Sequence, residues 1–268
     1  MKSVVVDLRT EESYAAGHVE GAYSFPWGNI QIDSCGFPPR DVALTAVCDE
    51  AIGLDTVEVY LRRFCFASLE VRRLRATEKL VPEVPQGTCW SPNPFLSEVL
   101  PEIEAANGGP SFALDVGSGA GRDMVYLASR GWSVAGIENR VRLIRQGVAL
   151  SKKHCVGGRV LYIHCDLKKT FPIKSKGPDL LHVCRFLHRP SLAKLLQLPR
   201  KGGFLVYSHF LDGCQKTEVG RPSSTNGFFL RGELRQLLLD CGYAILLERE
   251  TLLSDERPFV HILARREK

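Results

Sequence analysis

Residues Ala113-Leu114-Asp115-Val116-Gly117-Ser118-Gly119-Ala120-Gly121-Arg122-Asp123 set an acid and three alternate glycines between an apolar run and a charged helix start. Glycine lacks a Cβ, so such a turn lets the backbone approach a ligand closely and take positive φ without steric penalty. Gly117, Ser118, Gly119 and Gly121 are therefore candidate ligand contacts. A dinucleotide fingerprint needs a further glycine where this chain has Arg122, and it serves a pyrophosphate. Asp115 would repel a pyrophosphate but suits a cationic ligand end, such as the amino group or sulfonium of S-adenosylmethionine. Charge favours the sulfonium cofactor over a nicotinamide one.

Two more acids stand at the ends of expected strands. Glu138 follows the apolar run 132–137, roughly twenty residues past the glycines, where an acid can accept both ribose hydroxyls. Alone it also reads as a helix N-terminal acid that satisfies the dipole. Asp166 closes the run 159–164, placed to accept a hydrogen bond from an adenine amino group; alone it also reads as a turn residue. Helices are expected over 123–130 and 141–154. Open α/β sheets bind ligands outside the carboxyl ends of their strands, so the three acids are expected to converge on one crevice. A plain βαβ connection that binds nothing is the alternative for the glycine turn by itself.

From about Trp90 onward the chain resembles class I S-adenosylmethionine-dependent methyltransferases. More narrowly, it resembles the tellurite-resistance and thiopurine-type small-molecule branch. The broad resemblance is carried by Asp115 to Gly121, Glu138, Asp166, the runs 179–183 and 202–207, and two β-rich runs, 243–253 and 259–265, separated by a turn. The branch-level resemblance is carried by Cys184-Arg185-Phe186-Leu187-His188-Arg189-Pro190 and by 225–231. It implies an α/β fold, a Rossmann-like seven-stranded methyltransferase sheet with an antiparallel last strand. It also implies S-adenosyl-L-methionine as cofactor, with Asn139, Leu167 and Cys184 among its contacts, and a small-molecule methyl acceptor.

Many methyltransferases that modify amino groups of bases carry an Asp/Asn-Pro-Pro-aromatic motif after the fourth strand; this chain has Cys184 to Pro190 there. Arg185, Arg189 and His188 favour an anionic or readily deprotonated acceptor, a thiol or a chalcogen oxyanion, because guanidinium groups stay charged and grip oxyanions. His188 is the first candidate for a general base, with Arg185 beside it. Equally, the segment reads as a strand-to-helix junction, with Arg189 and Pro190 opening a helix through Gln197. Arg221 and Arg231 either line the same mouth or are solvated. No grouping of carboxylate and amide ligands for a metal is seen beyond the cofactor acids. Methyl transfer is an in-line displacement, so the protein has mainly to align the nucleophile and exclude water.

The first third differs. Val4 to Arg9 reads as a short buried strand, followed by Glu11 to Ala16 and by Gly17-His18-Val19-Glu20-Gly21-Ala22. The Asp-x-Arg and Gly-His-x-x-Gly-Ala elements resemble the opening of a rhodanese domain, in which they are structural; Arg9 and His18 are expected to brace the loop. By chain order Cys48, ending the run 42–47, stands where a working rhodanese carries its persulfide. Asp49 and Glu50 beside it should raise the thiol pKa, and no basic residue lies within the loop. A small, truncated and degenerate regulatory or docking module over residues 1–80 is expected, with protein binding open to it. A charged, proline-bearing stretch, 72–87, reads as a linker centred on 81–89, followed by a methyltransferase domain over 90–268 that opens with a covering helix from Phe95 to Ala106.

With 268 residues and 44% hydrophobic content, the chain can bury one full α/β core plus a smaller one. A net charge of +5 is mild, and the clusters Arg62-Arg63, Arg72 to Arg75 and Lys168-Lys169 read as solvated faces; without interleaved aromatics, nucleic-acid binding is not expected. Nine cysteines without a C-x-x-C pair argue against a zinc site or a secreted disulfide framework. No run reaches transmembrane length, so a soluble cytoplasmic protein is expected. Two other functions stay open: a bifunctional sulfurtransferase-methyltransferase that relays a Cys48 persulfide, and a non-catalytic cofactor-sensing or docking protein.

Overall fold

The computed structural model describes residues 2–171 and 177–267. The chain divides into two compact units, Met1–Ser91 and Pro92–Lys268.

The first unit is built on four parallel strands. In chain order its elements are β1 (Ser3–Asp7), α1 (Glu11–Ala16), β2 (His18–Val19), β3 (Tyr23–Ser24), α2 (Ile30–Asp33), β4 (Ala43–Cys48), α3 (Leu54–Leu61), β5 (Ser68–Arg73) and β6 (Leu80–Val81). The sheet order is β3-β1-β4-β5, and Val4, Val6, Leu44, Ala46, Val57 and Leu61 form its buried core. Arg9 is buried in a fork with Asp7, at 3.0, 3.1 and 2.7 Å, and donates to the Gly17 carbonyl at 2.7 Å. His18 stacks on Tyr14 at 3.8 Å, and its two ring nitrogens face the carbonyls of Tyr14 and Glu83. Both residues thus tie the loop after β1 together.

Two short pieces of the stretch 72–87 belong to strands. Arg72 and Arg73 end β5, and β6 pairs antiparallel with β2, matching His18 with Val81. The charges that make this stretch look like a linker are matched locally, Arg72 forming a fork with Glu78 at 2.6 and 2.9 Å. An edge strand tolerates such composition because only one side of its backbone must pair.

The second unit contains α4 (Pro94–Asn107), β7 (Phe112–Val116), α5 (Arg122–Ser129), β8 (Ser133–Glu138), α6 (Val141–Lys153), β9 (Val160–His164), β10 (Leu180–Cys184), α7 (Arg189–Leu196), β11 (Phe204–Phe210), α8 (Glu233–Asp240), β12 (Tyr243–Leu252) and β13 (Pro258–Arg266). Its sheet runs β12-β13-β11-β10-β7-β8-β9, and β13 lies antiparallel to both neighbours. This is the Rossmann-like, mixed seven-stranded arrangement. α4 starts where Asn93 Oδ1 accepts the N–H groups of Phe95 and Leu96, and its residues 95, 96, 99, 100 and 103 are buried at helical spacing.

Side chains alternate between sheet faces with period two. Ala113, Leu180 and Val206 therefore join Leu96, Met124 and Leu127 of α4 and α5 on one face. Leu114, Val116, Leu181 and Val183 join Leu192, Leu195 and Leu238 of α7 and α8 on the other. The same parity puts Asp115, His182 and Cys184 on the α4–α5 face.

Two glycines are dictated by one aromatic ring. A Cβ on Gly121, at the start of α5, would lie 2.5 Å from the Tyr162 hydroxyl, and one on Gly147 of α6 would lie 2.6 Å from the same ring. Alanine normally stabilises a helix interior by about 1 kcal/mol over glycine. Here Gly147→Ala must push the Tyr162 ring aside, which costs about 1–3 kcal/mol. We expect a net loss of stability, read as a lower urea midpoint with an unchanged slope.

Candidate functional site

The turn after β7 is held by the strand beside it. Gly117, Gly119 and Gly121 have φ of 72°, 57° and 73°, which side-chain-bearing residues rarely adopt. The N–H groups of Gly117 and Ser118 donate to the Ile137 carbonyl at 2.9 and 3.1 Å, and that of Gly119 donates to Glu138 Oε2 at 3.1 Å. Glu138 Oε1 takes the N–H groups of Asn139 and Arg140 at 3.0 and 2.8 Å. A carboxylate oxygen has two lone pairs, so Oε1 is filled and the open position is on Oε2. Glu138 is thereby fixed by backbone N–H groups from the glycine turn and from Asn139 and Arg140, the two residues that follow it.

A cavity of about 330 Å³ opens at the carboxyl ends of β8 and β9. Among the expected residues, Gly117, Glu138, Asn139, Asp166, Leu167 and Arg185 stand in its wall, with Ile137 as a second apolar surface. Asp166 Oδ1 closes a turn by accepting the Lys168 N–H at 3.0 Å. Phe186 also lines the cavity, lying so near Gly117 that a Cβ there would meet its ring at 3.2 Å.

Asp115 behaves differently from the expectation. It is 3% exposed, and its Oδ1 is 3.0 Å from Nδ1 of the fully buried His182, opposite it in the β7–β10 ladder. Its carboxylate turns towards α5 beneath the glycine turn. Three acids do end successive strands, but only Glu138 and Asp166 reach the cavity. The parity of β7 and a histidine in register explain why.

His182 heads a polar network that sequence spacing did not reveal. Its Nε2 lies 3.8 Å from Asp123 Oδ2, while Asp123 Oδ1 accepts the Asn93 N–H at 2.6 Å. Asn93 Nδ2 donates to Cys184 Sγ at 3.1 Å. Burial pushes the Cys184 thiol up to about 12, helped by the charge of Asp123. Burial also raises Asp123, reinforced by Asp115 and opposed by His182. Burial works against a charged His182, but attraction and the hydrogen bond from Asp115, with Asp123 behind, leave it raised. The readable signal was a histidine inside the apolar run Leu180-Leu181-His182-Val183.

The loop after β10 divides its expected roles. Arg185 sits at φ 56°, its N–H donating to the Ser208 carbonyl at 2.9 Å and its guanidinium 5.9 and 5.8 Å from the centres of the Phe210 and Phe259 rings. The Phe186 carbonyl accepts the Tyr207 hydroxyl at 2.6 Å. His188 precedes α7, with Nδ1 2.8 Å from Ser191 Oγ. The cavity wall carries Arg185 and Phe186 rather than His188. Arg189 is ion-paired with Glu233 at the start of α8, and Arg231 is a largely exposed side chain paired at the surface with Glu250.

No protein-family model matches the chain. No curated protein matches it. Solved structures do resemble it. A Galdieria sulphuraria protein provisionally named a sarcosine dimethylglycine methyltransferase has a TM-score of 0.53 at 14% identity, over 65% of this chain and 84% of that one. The magnesium protoporphyrin IX methyltransferase of Synechocystis PCC 6803, solved with bound SAH, scores 0.52 at 17% identity, over 65% and 81%. TehB from Haemophilus influenzae scores 0.51 at 18% identity, over 64% of this chain and 62% of TehB. Each likeness is one of fold. Among the described residues no group of three or more His, Cys, Asp or Glu is placed to hold a metal ion, and no helix is long and apolar enough to cross a membrane.

Within the first unit, Cys48 ends β4 with no exposed surface, and burial pushes its thiol up to about 11, with Arg73 opposing and Asp49 and Asp7 assisting. The basic group at this loop comes from β5 and not from the loop itself. Arg73 Nη1 donates to the carbonyls of Asp49 and Ile52, the latter at 2.6 Å. Cys65 and Cys155 are exposed. Alkylation with iodoacetamide at mildly alkaline pH, mapped by peptide mass spectrometry, is expected to modify Cys65 and Cys155 and to leave Cys48 unmodified until the protein unfolds.

Proposed function

We propose that the second unit is an S-adenosylmethionine-dependent methyltransferase for a small anionic or thiol/chalcogen nucleophile. The observation that carries the reading is a cavity beside a left-handed glycine turn, walled by one acid from each of two adjacent strand ends, Glu138 and Asp166. These residues suit a nucleoside. Glu138 Oε2 is open to a ribose hydroxyl, Asp166 to an exocyclic amine, and Ile137 and Leu167 to the faces of an adenine. When bound, S-adenosylmethionine supplies a methyl group on a positively charged sulfur that is already a good leaving group.

The chain's own part is to bind, orient and exclude water. Phe186 covers the turn at Gly117, and the Tyr207 hydroxyl fixes its backbone. Arg185 lines the cavity on a backbone conformation that non-glycine residues rarely keep, a form of strain that gathers at functional sites, and its guanidinium lies beside the Phe210 and Phe259 rings. That charge favours an oxyanion or thiolate acceptor. An acceptor that arrives already ionised needs no general base, in keeping with His188 lying outside the wall.

The first unit we assign as a rhodanese-like accessory module that docks or regulates. Its Asp7–Arg9 fork supports the likeness, and the buried, proton-retaining Cys48 weighs against a persulfide relay. A cofactor-sensing reading of the second unit keeps the same pocket and lacks the transfer step.

Calorimetric titration with S-adenosylhomocysteine is expected to show one site. Glu138→Ala removes a charged acceptor worth about 1.5–3 kcal/mol, so affinity should fall roughly tenfold to a hundredfold. Unaltered affinity in that variant removes the cofactor assignment. With tritiated methyl donor, thiols, selenite, tellurite and carboxylates form the acceptor panel. Arg185→Ala should raise KM for the accepted anion more than it lowers kcat, and binding without transfer to any of the panel would favour the sensor.

A further inference from the structure

The glycine turn has two stems, and one histidine touches the acids on both. Asp115 precedes the turn on β7 and Asp123 follows it in the first turn of α5. We propose that His182 is a positioning residue that, as an imidazolium, clamps both stems of the glycine turn and thereby sets the shape of the ligand cradle. The clamp belongs to the fold; that its ligand is the cofactor rests on the function proposed above.

The geometry supports a charged clamp. Nδ1 is 3.0 Å from Asp115 Oδ1, so this nitrogen carries a proton towards the carboxylate. Nε2 is fully buried without a hydrogen-bond partner, and the nearest acid is Asp123 Oδ2 at 3.8 Å. A bare lone pair facing a carboxylate at that distance is repulsive, whereas an N–H there is attracted. Two largely buried acids without a cation between them would repel across the turn they flank. Asn93 adds a third anchor, since its N–H binds Asp123 and its side chain both caps α4 and reaches Cys184.

The groups facing His182 are few. They are Asp115 from β7 and Asp123 from α5; Arg122 acts on Asp123, and Cys184, two residues on along the strand, feels the same two acids. Asn93 before α4 is neutral, and Val206 opposite on β11 is apolar. The histidine is raised above its ordinary value by these acids. A raised folded-state value means the imidazolium is kept above the pH at which a free histidine would lose its proton and is lost as pH rises through that value, whereas burial raises Asp123, so its arm of the clamp is weakened as pH falls.

The test uses the full chain, with and without S-adenosylhomocysteine. Histidine ¹⁵N spectra should show His182 doubly protonated at neutral pH, with its midpoint lowered in Asp123→Asn, which keeps the shape and still accepts from Asn93. Hydrogen exchange of the Gly119 and Gly121 amides, corrected for intrinsic rates, should lose protection above that midpoint. In His182→Gln, protection should be about tenfold lower and flat with pH, and ligand affinity should fall by a similar factor and likewise lose its pH dependence. A neutral His182 at pH 7, an unshifted midpoint in Asp123→Asn, or wild-type protection in His182→Gln would overturn the clamp. If His182→Gln fails to fold, the Asp123→Asn midpoint decides. Intact exchange behaviour in a wild-type protein that binds no S-adenosylhomocysteine would leave the clamp standing and remove the cofactor reading instead.

Discussion

The hydrogen bond between His182 and Asp115 is the contact on which the functional end of the second unit depends. It is made across the β7–β10 ladder, between one fully buried side chain and one nearly so. Breaking a buried charged pair by removing one partner typically costs about 3–5 kcal/mol, because the remaining charge is left without water or counterion. Such a contact fixes geometry more than it adds net stability. Here the geometry is the separation between a strand tip and a helix start, and the turn between them, with a glycine at every second position and only Ser118 and Ala120 besides, has few side chains with which to define itself. Rigidity therefore has to come from outside the turn: from His182 below, from the Ile137 carbonyl and Glu138 beside, and from Tyr162 against Gly121.

Much of this architecture is legible in the amino-acid order because its signals are local. Alternating glycines, an acid near the end of each of three apolar runs and a closing β-rich pair are all short-range patterns, and the seven-stranded sheet was expected from the family resemblance that they carry. Two of the departures are long-range. That Asp115 turns inward depends on its register with His182, sixty-seven residues away in sequence. That Arg189 is spent on Glu233 depends on a helix forty-four residues later. His188 looked catalytic because histidine titrates near neutrality, but the residue before a helix is also where a side chain meets the first turn, and Ser191 is its partner there. Arg72 and Arg73 looked like part of a linker because charge is also what an edge strand tolerates.

Within the first unit a similar substitution of structure for chemistry is visible. The loop after Cys48 turns its Asp49 and Ile52 carbonyls towards Arg73, so the arginine is consumed by backbone oxygens. An anion-binding loop would present N–H groups instead. Cys48 itself belongs to the hydrophobic core with Val57 and Leu61.

The position of β13 has a consequence for biosynthesis. This strand fills the space between β11 and β12, both of which leave the ribosome before it. Until residues 258–266 emerge, β11 presents an open edge and β12 has no neighbour in the sheet. The nascent second unit therefore carries unpaired strands that invite wrong partners, and its closure waits on the last strand of the sheet.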